Sequence, residues 1–188
     1  LDDKLPIVIM QWAARDPVNA YGNGVQESTY SIQANDYLDY HNLDTSYFSK
    51  LVDIYTNQHF NKFAHLVVGL ENSYNWEKYK KEYERQIEVL VKTRNAGQFS
   101  IVPMKDFARF YIKNFPEYSP EHVIEALDPL DSEKRVVWFM NLNYRVGWFF
   151  NQDGSVIRDI HQYTGGEEIC FIKRCDEVNF ATGATRVL

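Results

Sequence analysis

Apolar and polar positions alternate in blocks along the first 115 residues, and the blocks have the lengths of strands and helices. Three short apolar runs have the length and composition of buried strands: residues 5–12, 65–70 and 99–104. Apolar residues recur at helical spacing in three further segments: residues 45–55, 76–94 and 105–114. This alternation predicts an α/β region over residues 1–115, with a parallel sheet or part of a (β/α) barrel.

The pattern changes after residue 115. A serine followed by proline at residues 119–120 predicts a short helix that ends near residue 128. Strand-sized segments then follow, with a hairpin turn at residues 152–155: residues 135–140, 143–150, 156–163 and 168–173. Residues 116–188 are therefore predicted to form a helix and a small, antiparallel β-rich subdomain.

The end of the apolar run at residues 65–70 carries the clearest candidate for chemistry. Glu71 and Asn72 follow this run directly, and an aromatic-rich helix begins at Trp76. Ligands of open α/β sheets and barrels bind at the carboxyl ends of the strands, so these side chains are placed where a substrate could reach them. A structural alternative is that Glu71 only caps the following helix or pairs with an arginine.

A long polar segment, residues 13–42, follows the first apolar run and supplies a second carboxylate. Glycosidases use two carboxyl groups, and Asp16 is the best placed partner for Glu71 because it lies just beyond a predicted strand end. The neighbouring Arg15 is predicted to lower the pKa of Asp16 and keep it ionised, as a nucleophile or base requires, but the sequence favours a purely structural Arg–Asp pair as the explanation. Polar and aromatic residues near the strand ends are candidates for substrate binding: Gln11, Trp12, Arg15, Asn35, Asp36, Asn72 and Trp76.

Residues 62–111 resemble the late part of a glycoside hydrolase or deacetylase barrel, and most closely the family-57-like glycoside hydrolases. In that family a strand ends in an Asp-x-Gly-Glu-like motif, and an aromatic-rich helix, another strand and a Thr-x-x-Glu-Phe helix start follow it. Here the last element is Pro-Met-Lys-Asp-Phe at residues 103–107. The resemblance implies a carbohydrate-active barrel. Val68 or Gly69 occupies the place of the motif's leading Asp, so only Glu71 and Asn72 carry over by position.

Composition limits the classes of partner. The formal net charge is −6 and the chain has no stripe of Lys and Arg, which argues against nucleic acid as a partner. No apolar run is long enough for a membrane span. Aromatic residues make up 15% of the chain, more than a core of this size requires, and Tyr and Trp rings suit stacking against the apolar faces of sugar rings.

Neither a metal nor a cofactor is expected. The five histidines are scattered, and Cys170 and Cys175 form no zinc-binding pattern, so they are either a local disulfide or two free thiols. The chain begins at Leu1 rather than Met, so we expect a processed product or a piece of a longer polypeptide, and the compartment stays open.

The sequence thus predicts a carbohydrate-active protein, with hydrolysis by paired carboxylates as the first hypothesis. The alternative is a non-catalytic module that binds a glycan or another hydroxyl-rich small molecule. A further alternative is an interaction module whose partner is the rest of a longer polypeptide.

Overall fold

The computed structural model describes residues 7–10, 14–21, 27–71 and 73–163. These residues form three α-helices, a short π-helix at Asp36–Tyr40 and one four-stranded antiparallel sheet with strand order β1-β2-β3-β4. The helices are α1 (Thr45–Thr56), α2 (Trp76–Asn95) and α3 (Met104–Asn114), and the strands are β1 (His122–Leu127), β2 (Arg135–Met140), β3 (Tyr144–Asn151) and β4 (Gly154–Gln162). Within these segments, no helix has the length and apolar character that crossing a membrane requires.

The three helices confirm the predictions made from helical periodicity. Asp44 caps α1 by accepting a hydrogen bond from the Ser46 amide at 2.8 Å, and Asn75 caps α2 by accepting one from the Lys78 amide at 3.3 Å. The buried face of α1 follows the predicted spacing: Tyr47, Phe48, Leu51 and Val52. The helix boundaries therefore follow from local capping chemistry and an apolar face.

Two clusters of buried side chains form the core. One contains the buried face of α1 together with Ile32, Tyr37 and Tyr79. The other lies on one face of the sheet and includes Val136, Trp138 and Phe149. Ile54 and Tyr55 of α1 pack against both clusters, so this helix lies between the helical part and the sheet.

The predicted parallel sheet or (β/α) barrel over residues 1–115 is wrong. The runs at residues 7–10, 65–70 and 99–103 form no helix and join no sheet in the described part of the chain, where an isolated bridge between Arg15 and Ser31 is the only pairing before β1. The sheet that does form is antiparallel throughout. Apolar composition fixed neither burial nor strand pairing here, because Ile7, Ile9, Ile101 and Val102 of these runs are all at least half exposed.

The predicted short helix at residues 119–128 is also wrong, because this segment contains β1. Ile124 and Ala126 are buried while Glu125 and Leu127 are exposed, so the side chains alternate with the period of a strand and outweigh the helix-start signal of the proline. The strands predicted at 135–140, 143–150 and 156–163 are confirmed as β2, β3 and β4. The strand predicted at 168–173 and both cysteines lie outside the described residues.

Candidate functional site

A cavity of about 370 Å³ lies between the inner face of the sheet and helix α3. Ile124, Trp138 and Met140 form its sheet side. The irregular segments at residues 7–10 and 65–67 complete much of the wall, so the lining is mainly apolar. Ligand pockets of small-molecule binding proteins have this character, with apolar walls and a few convergent polar groups.

An aromatic cluster centred on Phe63 forms one end of the cavity. We use the term aromatic cluster for six residues: Phe63, His65, Phe107, Tyr111, Phe115 and His122. The Phe63 ring centroid lies 5.4 to 5.8 Å from those of the other five. The His65 ring also stacks on Phe107 at 5.4 Å. These contacts hold two imidazole rings in an apolar environment beside the cavity.

The protonation of His122 follows from its neighbours. The Asn61 side chain accepts a hydrogen bond from the Val123 amide at 2.7 Å and donates one to the Val123 carbonyl at 2.8 Å, which fixes the orientation of the Asn61 amide group. Asn61 Nδ2 must then donate to His122 Nε2, which lies 3.1 Å away. His122 Nε2 is therefore the acceptor, and in the neutral ring the proton is on Nδ1.

Burial keeps both histidines of the site neutral. Burial, with a smaller contribution from the nearby His65, lowers the pKa of His122 to about 4. Burial also lowers the pKa of His65. The Arg145 guanidinium lines the same cavity, but it binds the Asp159 carboxylate through two hydrogen bonds of 2.9 and 2.8 Å, and this pair has no net charge. The cavity is thus suited to a neutral ligand.

Asp16, a predicted catalytic residue, is fully buried outside this cavity. Its Oδ1 accepts hydrogen bonds from the amides of Val18 and Asn19, and its Oδ2 accepts from Asn19 Nδ2 at 2.8 Å and the Tyr47 hydroxyl at 3.0 Å. Asn19 Nδ2 also donates to Asp128 at the end of β1, at 2.6 Å. Asp16 therefore ties residues 14–21 to α1 and, through Asn19, to the sheet.

The pKa of Asp16 is raised, opposite to the direction predicted from Arg15. Burial is the largest cause, and the hydrogen bonds from Asn19, Val18 and Tyr47 act against it. The charge of Arg15 acts instead on Asp36, where it partly offsets a pKa increase that burial also causes. Adjacency in sequence thus gave the wrong partner for Arg15.

The other predicted site residues lie in a different part of the protein. Asn35 and Ser31 donate to the buried Asp36 carboxylate at 2.7 and 2.6 Å. Glu71 is exposed, and the charges of Asp36 and Glu71 both raise the pKa of Tyr74, although burial is the larger cause. Glu71 and Asp36 thus both lie near Tyr74, whereas Asp16 is not among the groups that shift its pKa.

Trp76 begins α2, where it is exposed and packs edge-on against Tyr83 at 6.0 Å. Gln11, Trp12 and Asn72 lie outside the described residues. The catalytic and binding roles assigned to all of these positions stay predictions.

Sequence reasoning missed His65 and His122. The sequence did contain a signal, which is the histidine at the start of the apolar run 65–70. An ionisable side chain is costly to bury, so one that lies in an apolar run indicates a functional site more often than an aliphatic side chain does. In the described ranges, no group of three or more His, Cys, Asp or Glu side chains could hold a metal ion. Comparison of the chain with protein-family models, curated proteins and solved structures finds no match.

Proposed function

We propose that this chain is a non-catalytic binding module that holds a small, neutral, ring-shaped ligand in the cavity beside the aromatic cluster. A sugar unit of a glycan has the required chemistry, because its ring has apolar faces and its edge carries hydroxyl groups. The cavity volume of about 370 Å³ lies within the range of small-molecule sites. Aromatic walls offer stacking surfaces for such a ring.

The observation that carries this proposal is the fixed tautomer of His122. Asn61 occupies Nε2, so the Nδ1–H group is the donor that His122 has left for another molecule. No acceptor for this group is found among the residues that the structure describes. A ligand hydroxyl or ring oxygen could accept this bond, and a donor in a mainly apolar wall contributes specificity.

Two features favour binding over turnover. Apart from four tyrosine hydroxyls, the ionisable groups of the cavity are neutral imidazoles and an Arg145–Asp159 pair, and neither Glu71 nor Asp16 lines it. Hydrolysis at Asp16 would also require its carboxylate to leave four hydrogen bonds. The geometry therefore supports recognition of the ligand without cleavage.

Calorimetric titration of monosaccharides and disaccharides into the wild type and His122→Phe tests the proposal. Phenylalanine keeps a ring in the aromatic cluster and removes the Nδ1–H donor. We expect a three- to tenfold weaker affinity, equivalent to about 0.6–1.4 kcal/mol for one hydrogen bond. Tyr144→Phe, which removes a hydroxyl on the opposite face of the sheet, should leave affinity unchanged. Absence of binding across the panel, or equal affinity for both proteins, would contradict the proposal.

A parallel assay with chromogenic glycosides, on the wild type and Glu71→Gln, separates binding from hydrolysis. We expect no turnover by either protein. Turnover by the wild type that is lost in Glu71→Gln would instead support the hydrolase hypothesis, because this substitution removes the ionisable group and keeps the shape of the side chain.

A further inference from the structure

The sheet has a second, outer face that points away from the cavity and carries large apolar side chains. The strand register places buried Val136, Trp138 and Phe149 on the inner face, so the alternate positions of the same strands lie on the other side. We define the outer face by six of these positions: Val137, Phe139, Trp148, Phe150, Ile157 and Ile160.

The side chains of this face form a continuous surface. Val137 pairs across the strands with Trp148, which pairs with Ile157, and Phe139 belongs to the neighbouring row that ends at Ile160. The Trp148 and Phe150 rings lie 4.8 Å apart. Neighbouring rows of an antiparallel sheet are in side-chain contact, so the aliphatic and aromatic groups form one patch rather than scattered single residues.

The patch is exposed to a degree that is costly for a single molecule. Trp148 is 46% exposed, Ile157 51% and Ile160 71%. With roughly 200 Å² for each large apolar side chain, these residues and their partly buried neighbours expose on the order of 500 Å². The largest apolar patch of a typical monomer is about 300–600 Å², and patches of this size commonly mark interaction sites.

The distribution of charge indicates which partner fits. The paired outer positions of the four strands hold one acidic residue, Glu125, and one basic residue, Arg135. The chain as a whole carries a net charge of −6. This face is therefore a place where an acidic chain can approach a copy of itself without bringing acidic surfaces together, and opposite charges are present on both copies.

We propose that the outer face is a homodimer interface at which two copies pack sheet against sheet about a twofold axis. Sheets pack face to face through interdigitating apolar side chains, as the inner faces of β-sandwiches do. A standard interface buries about 800 Å² per partner, and two patches on the order of 500 Å² each would bury about 1,000 Å², the lower limit for a specific interface, so we expect a weak dimer. The interface is separate from the cavity, which lies on the inner side of the sheet.

Sedimentation equilibrium from 1 to 200 µM, with the wild type, Ile160→Asp and Phe60→Asp, tests the proposal. Ile160 and Phe60 are both more than two thirds exposed, so each substitution introduces a charge without disturbing a core, but Phe60 lies in the turn after α1, beside β1, and is not part of the outer face. We expect the wild type and Phe60→Asp to dimerise, and Ile160→Asp to dimerise at least tenfold more weakly. Ile157→Asp should repeat this loss, and circular dichroism checks that each variant is folded.

Three results would overturn the proposal. One is a wild type that stays monomeric over the whole range. Another is a dimer that neither outer-face variant weakens. The third is that Trp148 fluorescence in a monomer is shielded from a soluble quencher, with Trp148→Phe as the reference. Shielding without any addition would show that another part of the chain covers the outer face, and shielding only after a polysaccharide is added would show that a glycan covers it. High salt should not weaken the proposed dimer, because its contacts are apolar and salt screens the repulsion between two acidic chains.

Discussion

The protein should be less stable in mild acid than at neutral pH, because the folded state favours the neutral form of His122. Its pKa is about 4 in the folded state and about 6.5 in an unfolded chain. Because folding lowers this pKa, the folded state disfavours the charged ring. The contribution of neutral His122 to stability is therefore complete above about pH 6.5 and is lost as the pH falls toward 4.

The magnitude follows from the two pKa values. Between them the free energy of unfolding falls by about 1.4 kcal/mol per pH unit, which gives about 2 kcal/mol between pH 7.5 and pH 5. His122 is only partly buried, so screening by solvent reduces the expected loss to about 1–2 kcal/mol. Asn61 adds a structural reason for this loss. Protonation would place a hydrogen on His122 Nε2, and this N–H group would then point at another donor, Asn61 Nδ2.

Urea unfolding of the wild type and His122→Gln at pH 7.5, 6.5, 5.5 and 5.0 measures this effect. Glutamine is neutral over the whole range, so the difference in unfolding free energy between the two proteins should shrink by about 1–2 kcal/mol from pH 7.5 to pH 5. The buried carboxylates Asp16 and Asp36 titrate in both proteins and cancel in this difference. His59→Gln, which removes an exposed imidazole, is the matched control and should keep the pH dependence of the wild type. Equal pH dependence in wild type and His122→Gln would refute the reasoning.

Two further substitutions test the packing and hydrogen bonding that position the site. Gly147→Ala should lower the unfolding free energy by about 1–3 kcal/mol, because the new Cβ would lie 2.6 Å from the Trp138 ring. Urea unfolding measures this loss, and Ser155→Ala, at an exposed position, is the control that should lower the unfolding free energy much less. Asp16→Asn should lower the unfolding free energy by about 2–3 kcal/mol, because the new NH₂ group faces hydrogen-bond donors. Thermal and urea unfolding measure this loss, and stability equal to the wild type would show that the hydrogen-bond network of Asp16 is not structural.

The sequence predicted those elements that are determined locally. The helices beginning at Thr45 and Trp76 are confirmed because their starts depend on the adjacent side chains of Asp44 and Asn75. The strands of the β2–β4 meander are confirmed because a short turn joins neighbours that pair directly. Asp16 shows the limit of such reasoning. Its donors come from α1 and from its own turn, and Asn19 extends the network to Asp128, 109 positions away from Asn19, a proximity that no local pattern contains.

The apolar run at residues 65–70 predicted a strand of a parallel sheet that does not form, yet the run does line the candidate site. A continuous apolar run indicates burial on both sides, which is typical of a parallel strand between two helix layers. In this protein the six residues are only partly buried: Leu66, Val68 and Leu70 pack on the helical core, and His65, Leu66 and Val67 line the cavity. The run therefore has the core on one side and the cavity, instead of a second layer of helices, on the other. A histidine on that side is consistent with this arrangement, because a cavity wall can use a polar group that the interior of a parallel sheet could not satisfy.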